Sequence, residues 1–191
     1  MSAPDAKVRT FLAVEVAAEI HAALVALQRE LARADAAVRW VRDEGLHATV
    51  KFLGGVPETR LPALRDALRD ALAATPPMRA AVRGLGVFPH ARRPRVVWAG
   101  LDCPPLTRLA AAVDDALAPL AFAKEVRPFH PHLTLGRVTG PRGWERLNAL
   151  LAAQQTAELG ACDLAELIAY RSDLRRDGAV YTKLWTIPFG G

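Results

Sequence analysis

Leu46-His47-Ala48-Thr49-Val50-Lys51-Phe52-Leu53 and His132-Leu133-Thr134-Leu135-Gly136-Arg137-Val138 are the two stretches on which the reading of this chain turns. Each holds the pattern His-x-Thr-x within an apolar run, residues 46–53 and 133–138, of the length and composition of a short buried strand. Side chains at i and i+2 of a strand share a face, so each copy presents an imidazole beside a hydroxyl while its apolar residues turn to a core. One copy alone reads as a polar pair satisfied inside a sheet, because His and Thr are ordinary strand residues. A second copy, 85 positions further on, points to two similar half-lobes facing each other across a cleft.

Two histidines around one reacting centre suit concerted acid–base chemistry near neutrality, since imidazole titrates there unperturbed. One must be neutral and the other protonated. The threonines add neutral hydroxyl donors that can hold a phosphoryl oxygen or orient a water without burying a charge.

The remainder of the chain bounds this reading. Its 191 residues are 51% hydrophobic and 24% charged, enough for one substantial core or two small lobes and far from a disordered composition. No apolar run is long enough to span a membrane, and the first seven residues lack the basic-then-apolar layout of a signal peptide, so a cytoplasmic protein is expected. Cys103 and Cys162 show no zinc or disulfide spacing. Of 25 basic residues, 21 are Arg, the better fork for phosphate, and the net charge is +5. Such a balance is also that of an ordinary solvated surface and proves no RNA binding. No Walker or Rossmann pattern occurs, so neither ATP nor NAD is implied, and no cofactor is expected.

Periodicity predicts a strand at residues 8–16 and a helix at 18–34, with Ile20, Leu24, Leu27 and Leu31 at helical spacing. A short strand at 38–41 and a turn at Asp43-Glu44-Gly45 lead into the first motif, and a helix follows at 59–74. Strands at 80–85 and 96–101 flank a loop, residues 86–95, that carries Pro89, His90, Arg92, Arg93 and Arg95. That loop is either a guide for an RNA 3′ end or an exposed loop that is basic without purpose. Helices at 106–118 and 144–155 precede a closing hairpin of residues 162–172 and 180–187 around Arg175-Arg176-Asp177-Gly178. Phe11 reads as core. His130-Pro131-His132 has neither a carboxylate nor a third His at ligand spacing, so no metal site is expected. Together these elements predict an α+β, bilobal fold: two antiparallel sheets with flanking helices, pseudo-twofold related motif strands around a central cleft, and one domain over residues 1–191.

The motif stretches also carry a resemblance. Arg9-Thr10-Phe11-Leu12-Ala13-Val14, Arg39-Trp40-Val41, Leu46 to Gly54, Arg127-Pro128-Phe129-His130-Pro131-His132 continuing to Arg137, Arg171-Ser172-Asp173-Leu174 and Gly178 to Thr182 resemble the two-histidine (2H) phosphoesterases. Among these, the bacterial and archaeal RNA 2′,3′-cyclic phosphodiesterases, also called 2′-5′ RNA ligases, are the most similar. The resemblance runs over residues 9–182 and departs at Ala48, where Leu is commoner.

It implies metal-independent hydrolysis of RNA 2′,3′-cyclic phosphate ends to 2′-phosphates. His132 would be the base and His47 the acid. With the phosphate between the motifs, Thr49, Thr134 and Arg127 would bind it, and Phe11, Arg92 and Arg93 are candidate RNA contacts. RNA is the expected partner, no membrane is involved, and a monomer is expected. A 2′-5′ RNA ligase and a cyclic phosphodiesterase for a small nucleotide use the same residues. A non-catalytic RNA-binding module would not need both acid and base.

Overall fold

The computed structural model describes residues 6–175 and 178–190. Nine strands and four helices follow one another along these residues: β1 (Lys7–Val14), α1 (Ala18–Ala32), β2 (Val38–Trp40), β3 (Ala48–Pro57), α2 (Leu61–Leu72), β4 (Met78–Phe88), β5 (Val96–Asp102), α3 (Pro104–Leu117), β6 (His132–Val138), α4 (Trp144–Ala153), β7 (Glu158–Leu164), β8 (Glu166–Arg175) and β9 (Gly178–Pro188). They form two sheets, ordered β3-β1-β8-β9 and β2-β6-β5-β4-β7, with every pair antiparallel.

Alternation along the strands assigns the faces. In β1, Leu12 and Val14 enter the main core, whereas Phe11 and Ala13 point the other way and cluster with Ile168, Tyr170 and Tyr181. Helices α2 and α3 pack on each other and against β9 and β3, while α1 and α4 lie against the second sheet. Their buried residues fall at helical spacing, Leu64, Leu68 and Leu72 in α2 and Leu106, Leu109, Val113 and Leu117 in α3. One continuous core joins both sheets, and β3 touches β6 where they meet. Both motif strands therefore line one seam.

The expected architecture of two antiparallel sheets with flanking helices is present, but the lobes are not halves of the chain. β2, from the N-terminal part, pairs with β6, and β8 and β9 return from the C-terminal end to complete the first sheet. The expected closing hairpin is present as β8 paired with β9, but the apolar run at 162–172 is two strands in different sheets, parted at Ala165, and only its part from Glu166 onward belongs to the hairpin. Buried Cys162 and Leu164 continue without Gly or Pro into buried Leu167 and Ile168, so no local signal marks the crossing. The loop expected at 86–95 is shorter, since Gly86, Val87 and Phe88 still pair with β5. Arg176 and Asp177 of the closing turn, and residues 1–5, lie outside the described residues.

A matching irregularity follows each motif. Ala13 pairs with Thr49 and Leu12 with Lys51, which leaves Val50 as an extra residue in β3. Trp98 pairs with Thr134 and Val97 with Gly136, which leaves Leu135 extra in β6. Both are β-bulges at the fourth motif position, where two residues oppose one and the strand's facing is reset. Gly136 is needed just after the second, because a Cβ there would lie 2.6 Å from Val38 Cγ1 of β2.

The first bulge turns Lys51 inward, where it is 4% exposed, pairs with Asp114 of α3 and donates to Ala123 O at 2.7 Å. Glu125 N also donates to Asp114, at 2.9 Å, so this cluster ties residues 123–125 to β3. Lys51→Ala removes one partner of a largely buried pair and strands the other, so it is expected to cost about 3 kcal/mol of unfolding free energy. Urea unfolding of the variant measures this, and a loss within the roughly ±0.5 kcal/mol typical of surface substitutions would show the pair to be structurally idle.

Candidate active site

His47 lies one residue before β3 and not within the strand as its sequence context suggests. The turn Asp43–Gly45 carries the chain across the open face of the first sheet, close to Tyr181: a Cβ on Gly45 would come 3.3 Å from that ring. The imidazole then rests on the aromatic cluster, stacked with Phe11 (centroids 4.8 Å) and Tyr170 (5.6 Å) and edge-on to Tyr181 (5.1 Å). Burial among these rings lowers its pKa from 6.5 to about 4, against the pull of the Glu15 carboxylate, which favours the protonated ring. Glu15 is itself held by Tyr170 Oη and by Lys183 Nζ at 2.8 Å. Partial burial pushes the Glu15 pKa up, but these two donors outweigh it and keep the carboxyl below its usual value. Burial and the adjoining Glu15 raise the Tyr170 hydroxyl far above its ordinary range, so it acts as a fixed donor.

His132 opens β6 and is set differently. Its Nδ1 lies 2.7 Å from the carbonyl oxygen of His130. A carbonyl only accepts, so Nδ1 carries the hydrogen and Nε2 keeps a lone pair in the neutral ring. Burial lowers its pKa, the backbone bond to His130 raises it in part, and electrostatic repulsion from the His130 ring and Arg137 lowers it further. Phe88 meets the ring edge-on at 5.0 Å, and Thr134 stands opposite Trp98 in the ladder. The bulge that sets Thr134 is pinned from behind: Gln28 of α1, 5% exposed, donates to the carbonyl of the extra residue Leu135 at 2.7 Å and to Val41 O at 3.1 Å.

Thr49 and Thr134 are half-buried, and the intervening Ala48, Val50, Leu133 and Leu135 are all core. Phe11 is only 3% exposed and presents its ring to His47, which leaves it little surface for RNA. Arg127 is exposed, five residues before His132 on the segment linking α3 to β6. Arg92 and Arg93 are exposed in the β4–β5 loop, which begins one residue after Phe88 and so lies on the His132 side; Trp144 Nε1 anchors this loop through Ala91 O at 3.1 Å. His130 touches His132 through its backbone carbonyl. Among the described residues, no three His, Cys, Asp or Glu side chains converge as a metal site would require.

Sequence reasoning missed Glu15, Tyr170, Tyr181, Lys183, Gln28 and Arg137. Both tyrosines of the chain converge on His47, a coincidence visible only once β8 and β9 lie beside β1. Arg137 could have been found, because it stands three residues after Thr134 as Phe52 does after Thr49.

Two antiparallel sheets that meet along strands led by His-x-Thr-x define a two-histidine phosphoesterase. The sequence profile of the LigT-like phosphoesterases matches residues 14–98 and 102–181, one motif in each, and the chain belongs to this family. It is 38% identical over 179 residues to an RNA 2′,3′-cyclic phosphodiesterase of Methanothermobacter thermautotrophicus, covering 93% of this chain and 97% of that protein. A second relative of that name, from Thermus thermophilus, is 34% identical, covering 92% and 87% of the two chains. In three dimensions the chain is similar to the crystal structure of a Thermus thermophilus protein, with TM-score 0.81, 30% identity and 96% and 98% coverage. It is also similar to E. coli LigT crystallised with 3′-AMP, with TM-score 0.76, 26% identity and 97% and 99% coverage. No helix among the described residues is long and apolar enough to cross a membrane.

The buried His47 has a consequence for stability. Its pKa is about 4 folded against 6.5 unfolded, so the folded state takes up its proton later as pH falls. The associated stability is fully present above pH 6.5 and is lost as pH falls from 6.5 through about 4, up to about 3 kcal/mol. His47→Gln is expected to flatten this part of the stability–pH curve measured by urea unfolding. Parallel curves for the two proteins would show that His47 is not held neutral.

Proposed function

We propose that the chain, acting as one bilobal unit, hydrolyses RNA 2′,3′-cyclic phosphate ends to 2′-phosphates by paired-histidine catalysis without a metal. The observation that carries the reading is the pair of matched, bulged motif strands at one seam, one of whose histidines has its Nε2 lone pair set by the His130 carbonyl. Water attacks phosphorus in line with the departing 3′ oxygen, so base and acid stand on opposite sides of the phosphate. His132 Nε2 takes the proton as the new P–O bond forms. His47 gives a proton to the 3′ oxygen as its bond to phosphorus breaks, and the 2′ bond remains.

Thr49 and Thr134 hydroxyls donate to the non-bridging oxygens, and Arg137, together with Arg127, offsets charge developing there. In the free protein His47 is mostly neutral at pH 7; Glu15, and then the phosphodiester anion itself, favour its protonated form. Hydrolysis to a 2′-phosphate needs only these groups. An RNA 5′-hydroxyl in place of water would make a 2′-5′ linkage at the same site, and an assay offering both acceptors separates the two outcomes.

Turnover of an RNA ending in a 2′,3′-cyclic phosphate tests the reading. His47→Ala and His132→Ala are each expected to lose about 10² to 10⁴-fold in kcat/KM, and Thr49→Val and Thr134→Val about 10²-fold. EDTA is expected to leave the wild-type rate unchanged. Activity lost with EDTA and restored by Mn²⁺ or Zn²⁺ would refute the metal-free mechanism, and a folded His47→Ala or His132→Ala variant of full activity would refute the acid–base pair.

The pH profile supplies a separate check. Both histidine pKa values lie below 6.5, so kcat/KM is expected to decline as pH rises above that value, with limbs that belong to the coupled pair. Glu15→Gln withdraws the charge that favours protonated His47 and is expected to lower kcat/KM at and above neutral pH, where the protonated fraction of His47 limits the rate. A kcat/KM there that is unchanged or raised would exclude Glu15 from tuning the acid.

A further inference from the structure

Trp98 lies beside the catalytic groups and takes no part in the hydrolysis. It stands directly opposite Thr134 on β5, so both project from the cleft face of the second sheet. Phe88 joins them, its ring 5.1 Å from Trp98 and 5.0 Å from His132. The neighbouring strand makes room for the indole. Trp98 pairs with Gly86 of β4, where a Cβ would fall 2.2 Å from Cζ2, so the ring lies over a position that admits no side chain. Its Nε1 is buried without an acceptor among the described residues, although a buried indole N–H usually has one. A hydrogen bond therefore does not account for this residue, and the large flat face of the ring is left to do so.

The indole also lines a cavity of about 430 Å³, within the roughly 300–1,000 Å³ usual for small-ligand sites. Arg83, Gln155, Thr156 and Glu158 give the cavity its polar walls. Arg83 is paired with Asp102, so the lining presents amide, hydroxyl and carboxylate groups but no free cation. Such a lining suits an uncharged planar ring and not a second phosphate.

We propose that this cavity takes the base of the nucleotide preceding the cyclic-phosphate end, stacked on Trp98. The inference rests on the hydrolysis reading above. In that reading His47 serves the departing 3′ oxygen, which sets the terminal nucleoside against the first lobe. Water is the nucleophile, so the other nucleoside at hand is the one next in the same strand. Directly opposed Cα atoms are about 5 Å apart, so Trp98 borders the phosphate that Thr134 holds, and a neighbouring nucleotide meets it first. Stacking on a ring accepts purine and pyrimidine alike. The cavity thus makes an oligonucleotide, and not a mononucleotide, the preferred substrate.

The test compares two dinucleotides that end in the same nucleoside 2′,3′-cyclic phosphate, one with adenine on the first ribose and one with hydrogen in its place. Wild type is expected to favour the adenine substrate about tenfold in kcat/KM. Trp98→Leu is expected to bring that ratio to about one, and Trp98→Phe to keep most of it. Damage to the fold would lower both rates together and leave the ratio alone. Thr156→Met, at an exposed position on the cavity rim, reaches over the opening and is expected to lower the ratio too; it stands in should Trp98→Leu not fold. A wild-type ratio near one, or a ratio that survives in Trp98→Leu or its stand-in, would overturn the second base site. If wild type hydrolyses neither dinucleotide, it is the hydrolysis reading that fails. Calorimetric binding of the corresponding dinucleotides ending in a 2′-phosphate then decides the site by itself: tighter binding of the one with both bases, lost in the variant, supports it, and any other result overturns it.

Discussion

The site depends on one extra residue in each of two strands. Val50 and Leu135 have no partner across the ladder, and each lets the strand re-aim the side chains that follow it. Without the first bulge, Lys51 would share a face with Thr49 and place an ammonium in the cleft, and Phe52 would turn into the core. A bulge leaves backbone groups that the ladder no longer serves, and their satisfaction recruits the rest of the fold. Leu135 O is taken by Val41 N from beyond β2 and by Gln28 from α1, while Lys51 is answered by Asp114 of α3 and by the segment after it. Helices remote from the chemistry thus hold the register on which the motifs depend.

The two lobes repeat a backbone device and differ in electrostatics. His47 rests on rings, with one carboxylate close by and no backbone hydrogen bond to fix its tautomer among those found in the described residues. His132 has its tautomer set by a carbonyl and faces positive charge from Arg137. A reaction that needs an acid and a base asks for such inequality: under the proposed roles, the negative neighbour belongs to the ring that would be protonated, and the positive neighbour to the ring that would not be. The Tyr170 and Lys183 donors keep Glu15 ionised, so its charge remains available to His47 in spite of partial burial.

Local pattern was enough for much of this. The doubled His-x-Thr-x, the apolar residues alternating with it, the helical spacing of Leu64, Leu68 and Leu72, and the α+β class all depend on contacts within a few residues or on one face of one element, which is what a linear sequence records. The sequence by itself likewise determined which side chains could act as acid, base and neutral donor, because those properties belong to the residue types. Tertiary structure alone decided how the lobes share the chain, since the pairing of β2 with β6 and the split of residues 162–172 between two sheets reflect closure of distant edges and leave no turn residue behind. It also decided the bulges, which are a mismatch between two strands and so cannot be read in either one. The setting of His47 among Phe11, Tyr170 and Tyr181 follows for the same reason: residues from β1, β8 and β9 become neighbours only when those strands lie side by side, and the burial that lowers the imidazole pKa exists only there.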